Sequence, residues 1–192
     1  MKVSPVTAAL LLVSVVAAGT LGQFRDSAIA DFQKPMELGR AAEVDNGQTI
    51  KPLDLSFGQF AVDARYSRKR SVISPARLVS VTFEFTTMAE NEVGGMRCFL
   101  RLPGGNTSEA LEDDELRFPK PGFRSTGTVI FEVSRENLPG ARVACVPTGV
   151  IVYREPEMLM PLGVTRANLD QVWQESANRR VTWNKSRLEV VR

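Results

Sequence analysis

The stretch RLVSVTFEFTT, residues 77–87, constrains the fold of this chain more than any other segment. Four apolar side chains alternate there with polar ones: Val79, Val81, Phe83 and Phe85. Because successive side chains of a strand point to opposite faces, the alternation indicates a strand with one buried face. The pattern returns in three further segments: GGMRCFLRLPGG (94–105), GTVIFEVS (127–134) and ARVACVPT (141–148).

The rest of the chain beyond the N-terminus is also strand-like and interrupted by turn signals. Further strands are predicted at 36–44, 55–66, 149–153, 158–164 and 181–191, and turns or boundaries at DNGQ (45–48), Lys51-Pro52 and Pro75. Seven or more short strands separated by turn signals are typical of a β-sandwich around one core. We therefore predict a mostly β chain with an immunoglobulin-like antiparallel β-sandwich.

One segment near the C-terminus departs from the strand pattern. In TRANLDQVWQESANRR (165–180), Leu169, Val172 and Trp173 are spaced as one face of a helix, and Thr165 is a candidate N-cap. The sequence therefore predicts a short C-terminal helix.

The N-terminus carries an uncharged apolar segment, VTAALLLVSVVAAGTLG (6–22), preceded by Lys2. With its flanks, Val3–Phe24 is long enough to cross a bilayer core of about 30 Å. A cleaved signal peptide has a similar pattern, and Val16-Ala17-Ala18 would serve as its cleavage site.

Either interpretation of the N-terminus gives the same domain order. Residues 1–24 are the transmembrane anchor or signal peptide, 25–35 a juxtamembrane stalk and 36–192 an extracytoplasmic β-sandwich. We expect a single-pass protein of the cell membrane with its domain outside the cytoplasm, or a secreted domain if the signal is cleaved.

The two cysteines, Cys98 and Cys145, each lie on the apolar face of a predicted strand. In an oxidising compartment, two thiols brought together in one core form a disulfide. That bridge would close a loop of 47 residues, for which the chain-entropy relation gives about 4 kcal/mol. The alternative is two free cysteines packed as small apolar side chains.

The absence of histidine excludes several classes of site. The chain has no histidine, so Ser-His-Asp, Cys-His and His-ligated zinc sites are excluded. The net charge is only +2, from 24 basic and 22 acidic residues, and the sequence shows no stripe of basic residues interleaved with aromatic ones of the kind that binds nucleic acid. We predict a non-enzymatic protein with no cofactor and no nucleic-acid partner.

Two charged clusters are the candidate partner-binding residues: Arg68, Lys69 and Arg70 in SRKR, and Glu112, Asp113, Asp114 and Glu115 in EALEDDELRF. The basic cluster suits anionic headgroups or an acidic partner, or it is a charged hairpin tip that discourages edge pairing. The acidic cluster is a calcium loop or a solvated loop, and its spacing is not that of an EF-hand.

The stretch from Pro121 to Val164, PGF…GTVIFEVSRENLPGARVACVP…MLMPLGV, resembles a known group of domains. It is similar to DUF4352-like, membrane-anchored immunoglobulin-like domains of unknown function from actinobacteria. The resemblance covers residues 36–190 and implies an extracytoplasmic fold, with turn and packing roles for Phe131, Gly140 and Gly163. It implies no catalytic residue.

Two functional hypotheses follow from the sequence. In the first, the chain is a membrane-anchored binding module of the cell envelope that holds an envelope protein or surface component through its loops. In the second, it is a structural accessory subunit of a membrane transport or secretion complex, with small residues of the apolar segment (Ala17, Ala18 and Gly19) making the contacts.

Overall fold

The structure, a computed structural model, describes residues 33–45, 47–63, 70–88, 94–111, 116–148 and 156–191, without the side chains of Asp45 and Arg70. Residues Lys34–Arg192 form one compact unit. The elements are β1 (Gln33–Pro35), β2 (Ala42–Asp45), β3 (Gln48–Asp63), β4 (Arg70–Thr87), β5 (Gly95–Arg101), β6 (Thr107–Glu109), β7 (Leu116–Arg117), β8 (Phe123–Val133), β9 (Arg142–Thr148), β10 (Glu157–Pro161), α1 (Leu169–Glu175), β11 (Arg180–Trp183) and β12 (Arg187–Val190).

The strands form two sheets. The first sheet has the order β1-β10-β9-β5-β6, with β7 also paired to β5. The second has the order β11-β3-β4-β8-β12, with β2 also paired to β3. The β3–β4, β4–β8, β5–β9 and β9–β10 pairs are antiparallel, whereas β11 runs parallel to β3. The predicted mostly β fold, a β-sandwich with antiparallel sheets, is confirmed.

The main core lies between the two sheets. The four alternating apolar side chains of β4 are fully buried, as the period-two pattern predicted: Val79, Val81, Phe83 and Phe85. They share this core with apolar side chains of β5 and β9, including Leu100 and Val143. Phe118 closes one end, with its ring edge-on to Phe85 at 5.4 Å between centroids.

The predicted disulfide is present and lies within the first sheet. Cys98 of β5 stands directly opposite Cys145 of β9, and their sulfur atoms are 2.06 Å apart. Both side chains belong to the buried core. The bridge therefore joins two neighbouring strands through the face that each turns to the interior, which confirms the predicted pairing.

The long hairpin of β3 and β4 turns back over its own sheet. Trp183 pairs with Asp63 at the end of β3, yet its indole nitrogen donates to the Thr128 carbonyl oxygen at 3.0 Å. Thr128 lies beside Thr82, which faces Asp54. A straight strand would separate residues 54 and 63 by about 30 Å, so the hairpin must bend.

This bend creates a second, smaller core on the outer face of the second sheet. Its members are Ala61, Leu78, Ile130, Val181 and Trp183. The register between β3 and β4 shifts at this corner. Gly58 pairs with Leu78, whereas Phe60, only two residues further along β3, pairs with Ile73. Extra residues on one strand of a pair increase its local bend, and here they carry the hairpin around the corner.

Two predicted boundaries are wrong because they fall inside strands. Pro75 lies in the unpaired residues at the corner of β4, where no ladder bond is required of it. Pro52 lies within β3, and its carbonyl oxygen accepts from the Gly39 N–H at 2.7 Å, on the side away from β4. A proline is tolerated there because its missing N–H would not have faced β4.

Several other predicted elements have different bounds in the structure. The predicted strand 36–44 is reduced to β2, and 181–191 divides into β11 and β12 around residues 184–186. The predicted 149–153 strand lies outside the described residues. The last three residues of the predicted stalk form β1.

The predicted helix is confirmed as α1 but is shorter, and its predicted cap is wrong. Asn168 occupies the N-cap position, and its side-chain oxygen accepts from the Thr165 N–H at 2.7 Å. Leu169, Val172 and Trp173 pack against the main core, as their spacing predicted. Among the described residues no helix is long and apolar enough to span a membrane, and the predicted anchor, residues 3–24, lies outside them.

Candidate functional site

Most of the predicted partner-binding residues lie outside the part of the chain that the structure describes: Arg68, Lys69, Glu112, Asp113, Asp114 and Glu115. Arg70 begins β4, but its side chain is not described. In the chain order the basic cluster connects β3 to β4, and the acidic cluster directly precedes β7.

A cleft of about 210 Å³ opens where β7, β8 and β12 meet at one edge of the sandwich. Its lining combines a few apolar side chains with hydroxyl groups and arginines: Phe85, Leu116, Arg117, Ser125, Thr126, Gly127, Ser186, Arg187 and Leu188. Because β7 belongs to the first sheet and β12 to the second, the cleft is an opening between the two sheets.

The floor of the cleft depends on a glycine in the middle of β8. A Cβ atom on Gly127 would lie 2.5 Å from Cδ2 of Leu116, closer than two carbon atoms can approach. The missing side chain lets Leu116 pack beside β8 while remaining buried against the core. Leu116 and Phe85 thus form an apolar floor that is continuous with the protein interior.

The rim of the cleft is polar and held by hydrogen bonds. The Ser125 hydroxyl donates to the Arg117 carbonyl oxygen at 2.7 Å, which links β8 to β7 across the opening. Beside it, Arg124 contacts the Glu189 carboxylate at 2.7 Å and the Glu84 carboxylate at 3.6 Å. Among the described residues, the charged groups that line the cleft are Arg117 and Arg187, both cations.

The polar side chains that line the cleft are hydroxyl groups and guanidinium groups, and its members among the described residues include no carboxylate. Within the described ranges, no group of three or more His, Cys, Asp or Glu side chains could hold a metal ion. The arrangement suits an apolar group with a negative charge beside it.

A buried arginine lies apart from the cleft, where the helix meets β4. The Arg77 guanidinium lies 4.0 Å from the Trp173 ring centroid and donates to the Trp173 carbonyl oxygen at 2.8 Å. Its Nε also donates to the Ser176 hydroxyl at 2.9 Å. Burial lowers the pKa of Arg77 because the charged form loses water. The guanidinium thus supplies a hydrogen-bond donor and a positive charge to the carbonyl groups at the C-terminal end of α1, so the role of Arg77 is structural.

The other clear pKa shift also lies outside the cleft lining. Two hydrogen bonds lower the pKa of the exposed Glu136 carboxyl. The larger effect comes from the Ser134 side chain and the smaller one from the backbone N–H of Glu136 itself. Both bonds favour the charged carboxylate.

The site that sequence analysis missed is assembled from three separate parts of the chain: β4, the consecutive strands β7 and β8, and β12. One local signal was present. Gly127 lies between the polar half and the apolar half of β8, and an isolated glycine within a strand indicates close approach of another segment. That signal would have located the floor of the cleft, although not its rim.

The fold and the cleft define the chain as a disulfide-linked β-sandwich with an opening between its sheets. No family model matches the chain, and no curated protein matches it. It is similar to the solved structure of the yjhA protein from Bacillus subtilis, with a TM-score of 0.46 and 9% identity, over 66% of this chain and 98% of that one.

A second similar structure is an uncharacterized beta-sandwich protein from Clostridium difficile 630. Its TM-score is 0.43 and its identity 8%, over 67% of this chain and 93% of that one.

Proposed function

We propose that the chain is a non-enzymatic binding module of the cell envelope, held at the membrane by residues 3–24, with an immunoglobulin-like domain outside the cytoplasm. The observation that carries the proposal is the cleft between the sheets, with its apolar floor and cationic rim. The buried disulfide supports the extracytoplasmic location, because such bridges persist in oxidising compartments. DUF4352-like domains from actinobacteria remain the proposed relatives.

The size of the cleft favours a protein partner over a small molecule. Pockets for drug-sized ligands hold roughly 300–1,000 Å³, whereas this cleft holds about 210 Å³. That volume suits one or two side chains of a partner segment. An apolar side chain would contact Phe85 and Leu116, and an adjacent carboxylate would meet Arg117 or Arg187.

Site-specific cross-linking tests this proposal on the full chain in its own membranes. A photoreactive side chain at Ser186, on the rim, should capture one defined envelope protein. The same group at the exposed Arg166, which lies outside the cleft, should not. Arg117→Glu should abolish the adduct at Ser186, because it opposes a carboxylate, and the matched charge reversal Arg166→Glu should leave it unchanged.

The binding role is refuted if the adducts from Ser186 and Arg166 are the same, or if Arg117→Glu leaves capture intact. An anchor exchange addresses the alternative of an accessory subunit. Replacement of residues 3–24 by an unrelated membrane anchor should preserve capture through the cleft. Loss of capture after that exchange would favour contacts made by the apolar segment itself.

A further inference from the structure

Among the described strands, β12 lies at one end of the second sheet and β1 at one end of the first. At the end of the first sheet, β1 carries Lys34 and Pro35, residue types that discourage pairing with another strand. In contrast, all four residues of β12 are exposed, and the exposed fractions of Leu188 and Val190 are 64% and 63%. An edge strand with exposed apolar side chains on one face is a template for a further strand.

The hydrogen-bond pattern shows which backbone groups of β12 face away from its sheet. The Val191 N–H donates to the Gly122 carbonyl oxygen at 2.9 Å. Because bonded and non-bonded positions alternate along an antiparallel pair, Glu189 and Arg187 also direct their backbone groups toward β8. Those of Leu188 and Val190 are therefore directed to the open edge.

We propose that this edge pairs with the same edge of a second copy of the chain, as an antiparallel two-fold contact centred on Leu188. Leu188 then bonds to the partner's Leu188, and Val190 bonds to the partner's Ser186. This register places Arg187 opposite the partner's Glu189 on the outer face, twice. The proposal does not depend on what the cleft binds.

Charge selects this register over the neighbouring one. A shift that bonds Leu188 to the partner's Val190 would place the two Glu189 carboxylates directly opposite each other, which is destabilising. In the proposed register both charged residues of β12, Arg187 and Glu189, face a residue of opposite charge. Glu189 contacts Arg124 at 2.7 Å, which orients its carboxylate at this edge.

The pairing also joins the two clefts. Leu188 lines the cleft of its own chain, and a two-fold axis perpendicular to the sheet keeps equivalent faces on the same side. The partner's Leu188 would therefore lie beside it and extend the apolar wall. A second copy fits this edge in three respects: backbone phase, charge and apolar face.

Cysteine cross-linking of the full chain, purified in mild detergent, tests the register. Bonded residues across an antiparallel pair have Cα atoms about 5.5 Å apart, within the usual range for a disulfide. Leu188→Cys should give a covalent dimer under mild oxidation. Val190→Cys alone should give much less, and Ser186→Cys with Val190→Cys should restore it. Absence of the Leu188→Cys dimer, or equal yields in all three variants, overturns the proposal.

Charge exchange tests whether the partner is a second copy. Sedimentation of Arg187→Glu should show about tenfold weaker self-association, because two favourable cross-strand pairs become repulsive. Glu189→Arg should behave alike, and an equal mixture of the two variants should regain association. Arg166→Glu, the matched control, should change nothing. Unchanged association in either variant, or no recovery in the mixture, refutes self-pairing.

Discussion

The buried Arg77 provides the sharpest test of how the helix is held against the sandwich. Its side chain is 5% exposed and has no carboxylate partner among the described contacts. Its charge is stabilised instead by the Trp173 carbonyl oxygen at 2.8 Å, by the hydroxyl of the helix C-cap Ser176 at 2.9 Å, by the Ala76 carbonyl oxygen at 3.1 Å and by the Trp173 ring.

Replacement by methionine keeps much of the side-chain volume and removes every donor. Each hydrogen bond from a charged group contributes about 1.5–3 kcal/mol, and a desolvated cation–π contact contributes about 2 kcal/mol. The cost of burying the guanidinium, seen in its lowered pKa, offsets part of that sum. We therefore expect Arg77→Met to lower the free energy of unfolding by about 2–3 kcal/mol.

Denaturant titration followed by circular dichroism measures this loss, and a double-mutant cycle with Trp173→Leu separates its parts. Trp173→Leu removes the ring and keeps the backbone carbonyl, so the coupling energy reports the cation–π contact at about 1–2 kcal/mol. An Arg77→Met loss below about 0.5 kcal/mol, or a coupling near zero, would refute the reasoning, because surface contacts have energies of that size.

Three further predictions concern the bridge, the cleft and an exposed carboxylate. Joint replacement Cys98→Ala and Cys145→Ala should cost about 4 kcal/mol in denaturant titration, since the loop spans 47 residues; a loss under 1 kcal/mol contradicts this. Gly127→Ala should destabilise by about 1 kcal/mol through crowding and should reduce capture at the cleft; unchanged capture argues against the site. By NMR titration, Ser134→Ala should raise the lowered pKa of Glu136, because the mutation removes the hydrogen bond from Ser134. The stabilising effect of the charged Glu136 carboxylate is present at neutral pH and is lost as pH falls through its folded-state pKa. An unchanged titration midpoint of Glu136 would exclude the hydrogen bond from Ser134.

Period-two alternation allowed the faces of several strands to be predicted from sequence, because it is a local property. Val79 and Phe83 are buried as expected, and so are Cys98 and Cys145. The same argument predicted the bridge, since both cysteines lie on apolar faces. These predictions needed no knowledge of which strands are neighbours.

The corner of the long hairpin could not be predicted in this way. Pro52 and Pro75 are ordinarily strand breakers, and only pairing partners reveal that neither is required to donate to a neighbouring strand. The cleft was missed for a related reason. Leu116 and Leu188 come from opposite sheets and are brought together by long-range topology, which residue spacing does not encode.

We propose above all that this sandwich folds outside the cytoplasm with its interior covalently linked. Intact mass of the full chain, extracted from its membranes and alkylated under denaturing conditions, tests that claim most directly. Without reductant we predict no alkyl group on Cys98 or Cys145, and with reductant one on each. Two alkyl groups on the unreduced protein would contradict the account.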